Sequence, residues 1–346
     1  MRILVWYVHG GWMSGFLSGG HEYVIPHDGR SLPPLPDGVR LVDPAALAGE
    51  HVEAVVLQRT EELELAERLL GRVPGRDVPA VFVEHNTPKR RPVDERHPLA
   101  DRADIPVVHV THFNRLVWDT GDAPTRVIEH GVPDPGPTYT GEDPVLGVVV
   151  NEPVRRWRVT GTDLLPEFSR AAPLRCFGIG TELLPGSLDL GGDRLLVGGD
   201  LPTPRLHSEL ARCRAYLHPF RWTSLGLSLL EAMTIGMPVL ALATTEAVRA
   251  VPREAGVLST DPSDLVAAAE RLIADPAEAI SMGSAARAFA LERYGLARFL
   301  RDWDAVLEET ADAHALRVRT RITGGAQRRP DTASAVEAAD GKGAVG

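Results

Sequence analysis

Apolar positions along the chain follow two periods. Short runs rich in Val, Ile and Leu, "RILVWYV" (2–8), "AVVLQ" (54–58), "AVFVEH" (80–85), "VVHVT" (107–111) and "TRVIEHG" (125–131), read as strands. Between the second and third, "TEELELAERLLG" (60–71) has helical spacing and a glycine stop. Strands alternating with helices are the pattern of parallel sheets with crossover helices, so the expected class is α/β. Residues 132–144, "VPDPGPTYTGEDP", hold four prolines and two glycines and sustain neither a helix nor a central strand, so they read as a linker. A second series follows: "VLGVVVN" (145–151), "LRCFGIG" (174–180), "DRLLVGG" (193–199), "AYLHPF" (215–220) and "PVLALA" (238–243). From Asp261 the period is helical, with Asp-Pro starts suited to capping at 261 and 275 and a third amphipathic helix at 296–315. The expected division is a first domain at 1–137, a second at 138–295, a last helix at 296–315 and a disordered tail at 323–346 that has almost no large apolar side chain.

Composition narrows the function. A chain of 346 residues with 44% hydrophobic and 24% charged content has enough apolar mass for two globular domains. A net charge of −10 argues against a general nucleic-acid binder and leaves room for a small phosphorylated ligand. Lys89 and Lys342 are the only lysines, so the cations are nearly all arginine, which grips phosphate in a planar fork; a Schiff-base enzyme is not expected. Cys176 and Cys213 form neither a disulfide framework nor a metal-ligand pair, which suits a reducing, cytoplasmic setting. The first apolar run is too short for a signal-peptide core and none reaches ~18 residues, so no export or membrane span is expected.

The stretch 215–242 reads as one βαβ unit: strand "AYLHP", loop "FRWTSLG", helix "LSLLEAMTI", a stop at Gly236, strand "PVLAL". In parallel sheets, ligands lie beyond the carboxyl ends of strands, where a loop entering a helix points free amides. The amides of Ser224, Leu225, Gly226 and Leu227 are therefore candidates to cradle a phosphate. Glu231, about one turn into the helix, can accept the two hydroxyls of a ribose or can be a plain surface glutamate.

The segment "HPFRWTSLGLSLLEAMTIGMPVLALATTEAVRAVPREAGVLSTDPSDLVAAAERLIADP" resembles the nucleotide-sugar half of retaining glycosyltransferases of the GT-B fold, the family 4 group, whose two Rossmann-like doubly wound domains face a cleft. The resemblance is good over about 195–310 and looser elsewhere, where "VIEHGVPDP" stands in place of the family's "VIPNGVD". It implies transfer of a sugar, with retention and without a metal or other cofactor, from a UDP- or GDP-sugar on the second domain to an unknown acceptor on the first. The family's two diphosphate-binding cations fall in "NEPVRRWRVTG", where Arg158 takes the lysine place and Arg155 or Arg156 the second. His85, after the third strand, matches a histidine near the transferred sugar, and Gly10 and Gly11, after His9, match a glycine-rich loop facing donor and acceptor. His85 and Arg158 are thus the expected catalytic groups.

One departure stands out. The family has two glutamates separated by seven residues; Glu231 is the second, and the place of the first is held by Thr223, which brings a hydroxyl and no charge. An altered sugar preference or a loss of turnover follows, so a non-catalytic nucleotide-sugar binder and an epimerase of the same fold stay open as alternatives. The pair Asp302 and Asp304 falls on a helix and reads as a solvated face, and His112 as structural. The cations in "PKRRPVDER" (88–96) suit either a solvated loop or an anionic acceptor or membrane surface; those after 316 are assigned no role.

Overall fold

The computed structural model describes residues 1–326. Two sheets form, each with every strand pairing parallel. The first contains β1 (Arg2–Val5), β2 (Glu22–Pro26), β3 (Val39–Val42), β4 (Ala54–Leu57), β5 (Ala80–Glu84), β6 (Val107–His109) and β7 (Thr125–Val127), in the order β3-β2-β1-β4-β5-β6-β7. The second contains β8 (Asp143–Val149), β9 (Leu174–Phe177), β10 (Leu195–Gly199), β11 (Cys213–His218), β12 (Val239–Leu242) and β13 (Gly256–Ser259), in the order β10-β9-β8-β11-β12-β13. The crossovers of the first sheet include α1 (Gly10–Phe16), α2 (Glu61–Leu70) and α3 (His112–Val117). Those of the second include α4 (Pro153–Thr160), α5 (Leu165–Phe168), α6 (Leu184–Ser187), α7 (Thr203–Ala211), α8 (Leu227–Ile235) and α9 (Ala247–Ala250). Three helices follow the second sheet: α10 (Pro262–Ala274), α11 (Pro276–Tyr294) and α12 (Leu296–Ala326). Among the described residues no helix is long and apolar enough to cross a membrane.

Each sheet is covered on both faces. Ile3, Val5, Val56, Val81 and Val83 face one core of the first sheet, and Leu4, Val55, Leu57 and Phe82 the other. The alternation along each strand sends successive side chains to opposite layers. Asp261 accepts the amide of Ser263 at 2.9 Å, and Asp275 those of Ala277 and Glu278 at 3.0 Å, so both Asp-Pro starts cap their helices. Strands β2, β3 and β13 were not among the runs picked out by pattern. The first two close one edge of their sheet, and β3, with only Val42 fully buried, lacks an apolar run.

The last helix is longer than the sequence suggested. It passes 315 and holds helical backbone through Ala326, so 323–326 are not tail; the rest of the expected tail lies outside the described residues. Its first half returns to the first domain: Phe299, Trp303, Val306 and Leu307 are buried against Trp12, Met13 and Phe16 of α1. The outgoing and returning segments cross side by side. Val132 donates to the Tyr294 carbonyl at 2.9 Å, Arg298 donates to the carbonyls of Glu129 and His130 at 2.8 and 2.7 Å, and Arg293 pairs with Glu129 at 2.7 Å.

Candidate functional site

Both sheets turn the carboxyl ends of their strands towards a common cleft. In the second sheet, β8 is flanked by β9 on one side and β11 on the other, so the chain order reverses between β8 and β11, where open parallel sheets bind ligands. The loops after these two strands lead into α4 and α8. Together with the loops after β1 and β5 and with His130, they enclose a cavity of about 830 Å³. Its first-domain wall carries His9, Trp12, His85, Asn86, Thr87, Lys89 and His130; its second-domain wall carries Glu152, Arg155, Arg156, Val159, Leu227 and the run from Trp222 to Leu225.

Gly226 precedes α8, and no side chain caps the helix; the Leu229 amide donates to the Gly226 carbonyl at 3.0 Å, and the amides of Leu227 and Ser228 are left for a ligand. Gly236, at φ 104°, ends it in the left-handed conformation that glycine adopts without strain. Gly11 in α1 permits a close approach across the cleft: a β-carbon there would meet the Leu227 side chain at 2.7 Å. Gly10 has no such neighbour, and neither glycine lines the cavity, although His9 and Trp12 on either side of them do.

The loop bearing Thr223 is tied to the other domain. Trp222 Nε1 donates to the Pro88 carbonyl at 2.9 Å and Ser224 Oγ to the His85 carbonyl at 2.7 Å. Thr223 sits between these two anchors, at the cavity wall. A third bond crosses nearby, from the Phe113 amide to Glu246 Oε2 at 2.7 Å.

Three imidazoles converge on the first-domain wall. His85 is buried, its ring 4.0 Å from that of His9, and its Nε2 lies 3.0 Å from Gln58 Oε1. Gln58 Nε2 donates to the Trp6 carbonyl at 2.8 Å, which fixes the amide with its oxygen towards His85. The proton of neutral His85 is thereby assigned to Nε2, and Nδ1 is the acceptor. Burial, with His9 and His130 adding to it, holds the His85 pKa well below its ordinary value. Burial likewise lowers His9, and brings His130 to about 4. Nδ1 of His130 is buried without a hydrogen-bond partner among the described residues. At neutral pH these three imidazoles offer uncharged donors and acceptors.

The arginines divide. Arg155 is paired with Glu152 and Arg156 packs its guanidinium 6.0 Å from the Phe220 ring; both line the cavity. Arg158 does not. Its side chain is largely exposed and pairs with Asp163 at 3.1 Å. The reason is a break in α4 at Trp157, whose φ of 23° and ψ of −90° interrupt the helix and turn the following residue off the face carrying Arg155 and Arg156. Arg156 forms no ion pair among the described residues, and burial disfavours its charge, so an incoming anion relieves it. Glu231 lies in α8 next to α7, with its carboxylate 3.9 Å from His207 Nε2, and does not line the cavity. Of the residues proposed from sequence, the fold brings His85, Arg155, Arg156 and Thr223, Ser224, Leu225 and Leu227 to one space; Gly10, Gly11 and Gly226 border it, and Arg158 and Glu231 lie outside. Trp12, Asn86, Thr87, His130, Glu152, Val159 and Trp222 were not singled out; Asn86, Thr87, His130, Glu152 and Trp222 follow strand ends already marked, whereas Trp12 and Val159 reach the cavity from within α1 and α4. Among the described residues no group of three or more His, Cys, Asp or Glu is placed to hold a metal ion.

Residues 163–275 match the family model "Glycosyl transferases group 1", a third of the chain. In sequence, no protein of curated function matches it. Among solved structures, the chain is similar to TarM of S. aureus, with TM-score 0.62 and 16% identity over 73% of this chain, although it spans only 54% of TarM. It is also similar to sucrose-phosphate synthase from Thermosynechococcus elongatus, with TM-score 0.70 and 15% identity over 90% of this chain and all of that one. A third is HepE from Anabaena in complex with UDP-glucose, with TM-score 0.65 and 16% identity over 89% of this chain and all of that one. Likeness at this level of identity is one of architecture, and the architecture shared is the GT-B fold: two parallel-sheet α/β domains that face each other across a cleft.

Proposed function

We propose that the protein is a glycosyltransferase that binds a nucleoside-diphosphate sugar in the cleft and transfers the sugar, with retention and without a metal ion, to an acceptor held by the first domain. The observation that carries this reading is the cavity at the β8/β11 switch point, where Arg156, without an ion pair among the described residues, and the open amino end of α8 face the neutral histidines. The family-model match over the same domain supports it, as does the UDP-glucose held by the Anabaena neighbour. In this reading the diphosphate lies against Arg156 and the α8 amides, which stabilise the charge that grows on it as the glycosidic bond breaks. Arg155, already paired with Glu152, contributes less. His85 Nδ1 accepts from a hydroxyl of the transferred sugar, and Glu231 takes the ribose, reached as the ligand settles along α8.

A thermal-shift panel of UDP, GDP, ADP and dTDP tests the donor site. A nucleotide at ~100 times its dissociation constant raises stability by about 2.7 kcal/mol. One nucleotide should stabilise the wild type, weakly stabilise Glu231→Ala and fail to stabilise Arg156→Gln. No shift with any of the four would overturn the assignment. The absence of a carboxylate at Thr223 favours a second reading, a binder without turnover. It predicts the same nucleotide shift with no release of diphosphate from the sugar nucleotide, whether or not acceptor is supplied.

A further inference from the structure

The charges on the cavity walls do not cancel. Four lining side chains carry formal charge: Glu152 and Arg155, which neutralise each other, and Arg156 and Lys89, which stand on opposite walls. Neither of the last two forms an ion pair among the described residues. Arg156 and the α8 amides suit a diphosphate, and this leaves Lys89 facing whatever lies beyond it.

The backbone leading to Lys89 is held from both domains. Asn86 N donates to Glu84 Oε1 at 2.6 Å, Trp118 Nε1 donates to the Asn86 carbonyl at 2.8 Å, and Trp222 Nε1 donates to the Pro88 carbonyl at 2.9 Å. Glu84 and Asp94 lie five residues to either side of Lys89; Glu84 is occupied by Asn86 and His97, Glu95 takes the backbone amides of the same loop, and none of the three acids lines the cavity. Lys89 is near enough to His9 to add to the depression of its pKa, so its charge is felt at the histidine wall. Thr223, on the opposite wall, brings no charge to answer it. A neutral sugar hydroxyl accepts from an ammonium but brings no opposite charge; a carboxylate or phosphate adds the Coulomb attraction of an ion pair to the same hydrogen bond.

We propose that Lys89 binds an anionic group, a carboxylate or a phosphate, carried either by the transferred sugar or by the acceptor. This rests on the reading of the cavity as a nucleotide-sugar site. The first source makes the donor an acidic sugar nucleotide; the second makes the acceptor a phosphorylated or carboxylated molecule.

Calorimetry on wild type, Lys89→Gln and Lys89→Arg tests it. UDP is titrated first and should bind all three alike; GDP replaces it, with GDP-mannose and GDP-mannuronate in the next arm, if the guanine nucleotide is the one that binds. In the sugar arm, UDP-glucuronate should bind wild type at least tenfold more tightly than UDP-glucose, with the preference lost in Lys89→Gln and kept in Lys89→Arg. In the acceptor arm, inorganic phosphate is titrated into protein saturated with nucleotide, and its affinity should fall about tenfold in Lys89→Gln only. A response in either arm supports the proposal and identifies the source. Nucleotide binding with both arms insensitive to Lys89 overturns it, whereas no nucleotide binding at all overturns the reading of the cavity itself.

Discussion

Gln58 decides what His85 offers to a ligand. Its amide is oriented by the Trp6 carbonyl, so its oxygen faces His85 Nε2 and places the imidazole lone pair on Nδ1. In 15N spectra of wild type, His85 should be the Nε2–H tautomer across the neutral range. Gln58→Leu removes the acceptor and should lower stability by about 1–3 kcal/mol in denaturant unfolding, as a buried N–H loses its partner. An unchanged tautomer together with unchanged stability would show that the amide does not set the ring. His85 itself was legible in the sequence, because a histidine just past an apolar run falls at a strand end. Gln58 also follows an apolar run, but its role depends on Trp6, more than fifty residues away. The choice among three arginines was illegible for a related reason. Spacing alone assumes a continuous helix, and α4 breaks at Trp157, which puts Arg156 rather than Arg158 at the cavity.

At the scale of elements, α4 and the loop after β11 meet at Gly161. This residue has φ 72°, and a β-carbon there would lie 1.9 Å from the Pro219 carbonyl oxygen, so both the conformation and the space call for glycine. Gly161→Ala should cost about 2–4 kcal/mol in chemical unfolding and, by pushing α4 from the Thr223 loop, should weaken nucleotide binding more than the stability loss alone explains. A variant within 0.5 kcal/mol of wild type would show that the two elements yield easily. Strands with continuous apolar runs, such as β4 and β12, were legible because burial on both faces requires such runs. Strands β2 and β3 were not. They lie towards one edge of the sheet, and β3 is mostly exposed, so nothing local distinguishes it from a loop; pairing with a neighbour makes it a strand. The helix 227–235 matched its expected bounds because its start and stop, Gly226 and Gly236, are local signals.

For the whole molecule, the buried histidines set the response to acid. Burial lowers His109 and His218 to about 3 and His130 to about 4, whereas the unfolded chain titrates near 6.5. A depressed folded pKa contributes stability that is complete above the unfolded value and is lost as pH falls towards the folded one. Stability should therefore decline from pH 6.5 towards pH 4, each such histidine contributing up to about 1.4 kcal/mol per pH unit. His130→Asn should flatten that slope by one histidine's share in urea unfolding between pH 7 and 5; an equal slope would mean that His130 is protonated in the native protein. The return of α12 has a consequence of another kind, in the order of events during synthesis. Trp12 and Phe16 stack at 4.6 Å, and Trp303 closes on both at 5.5 and 5.1 Å. The ribosome, at about 5–20 residues per second, delivers the last of these rings roughly 15–60 s after the first. Throughout that interval the aromatic face of α1 has no lid, so the first domain, though made first, is completed last. The nascent chain must carry an open apolar surface until the first half of α12 arrives, and the second domain, whose sheet and helices are complete by Tyr294, is the one free to fold while it waits.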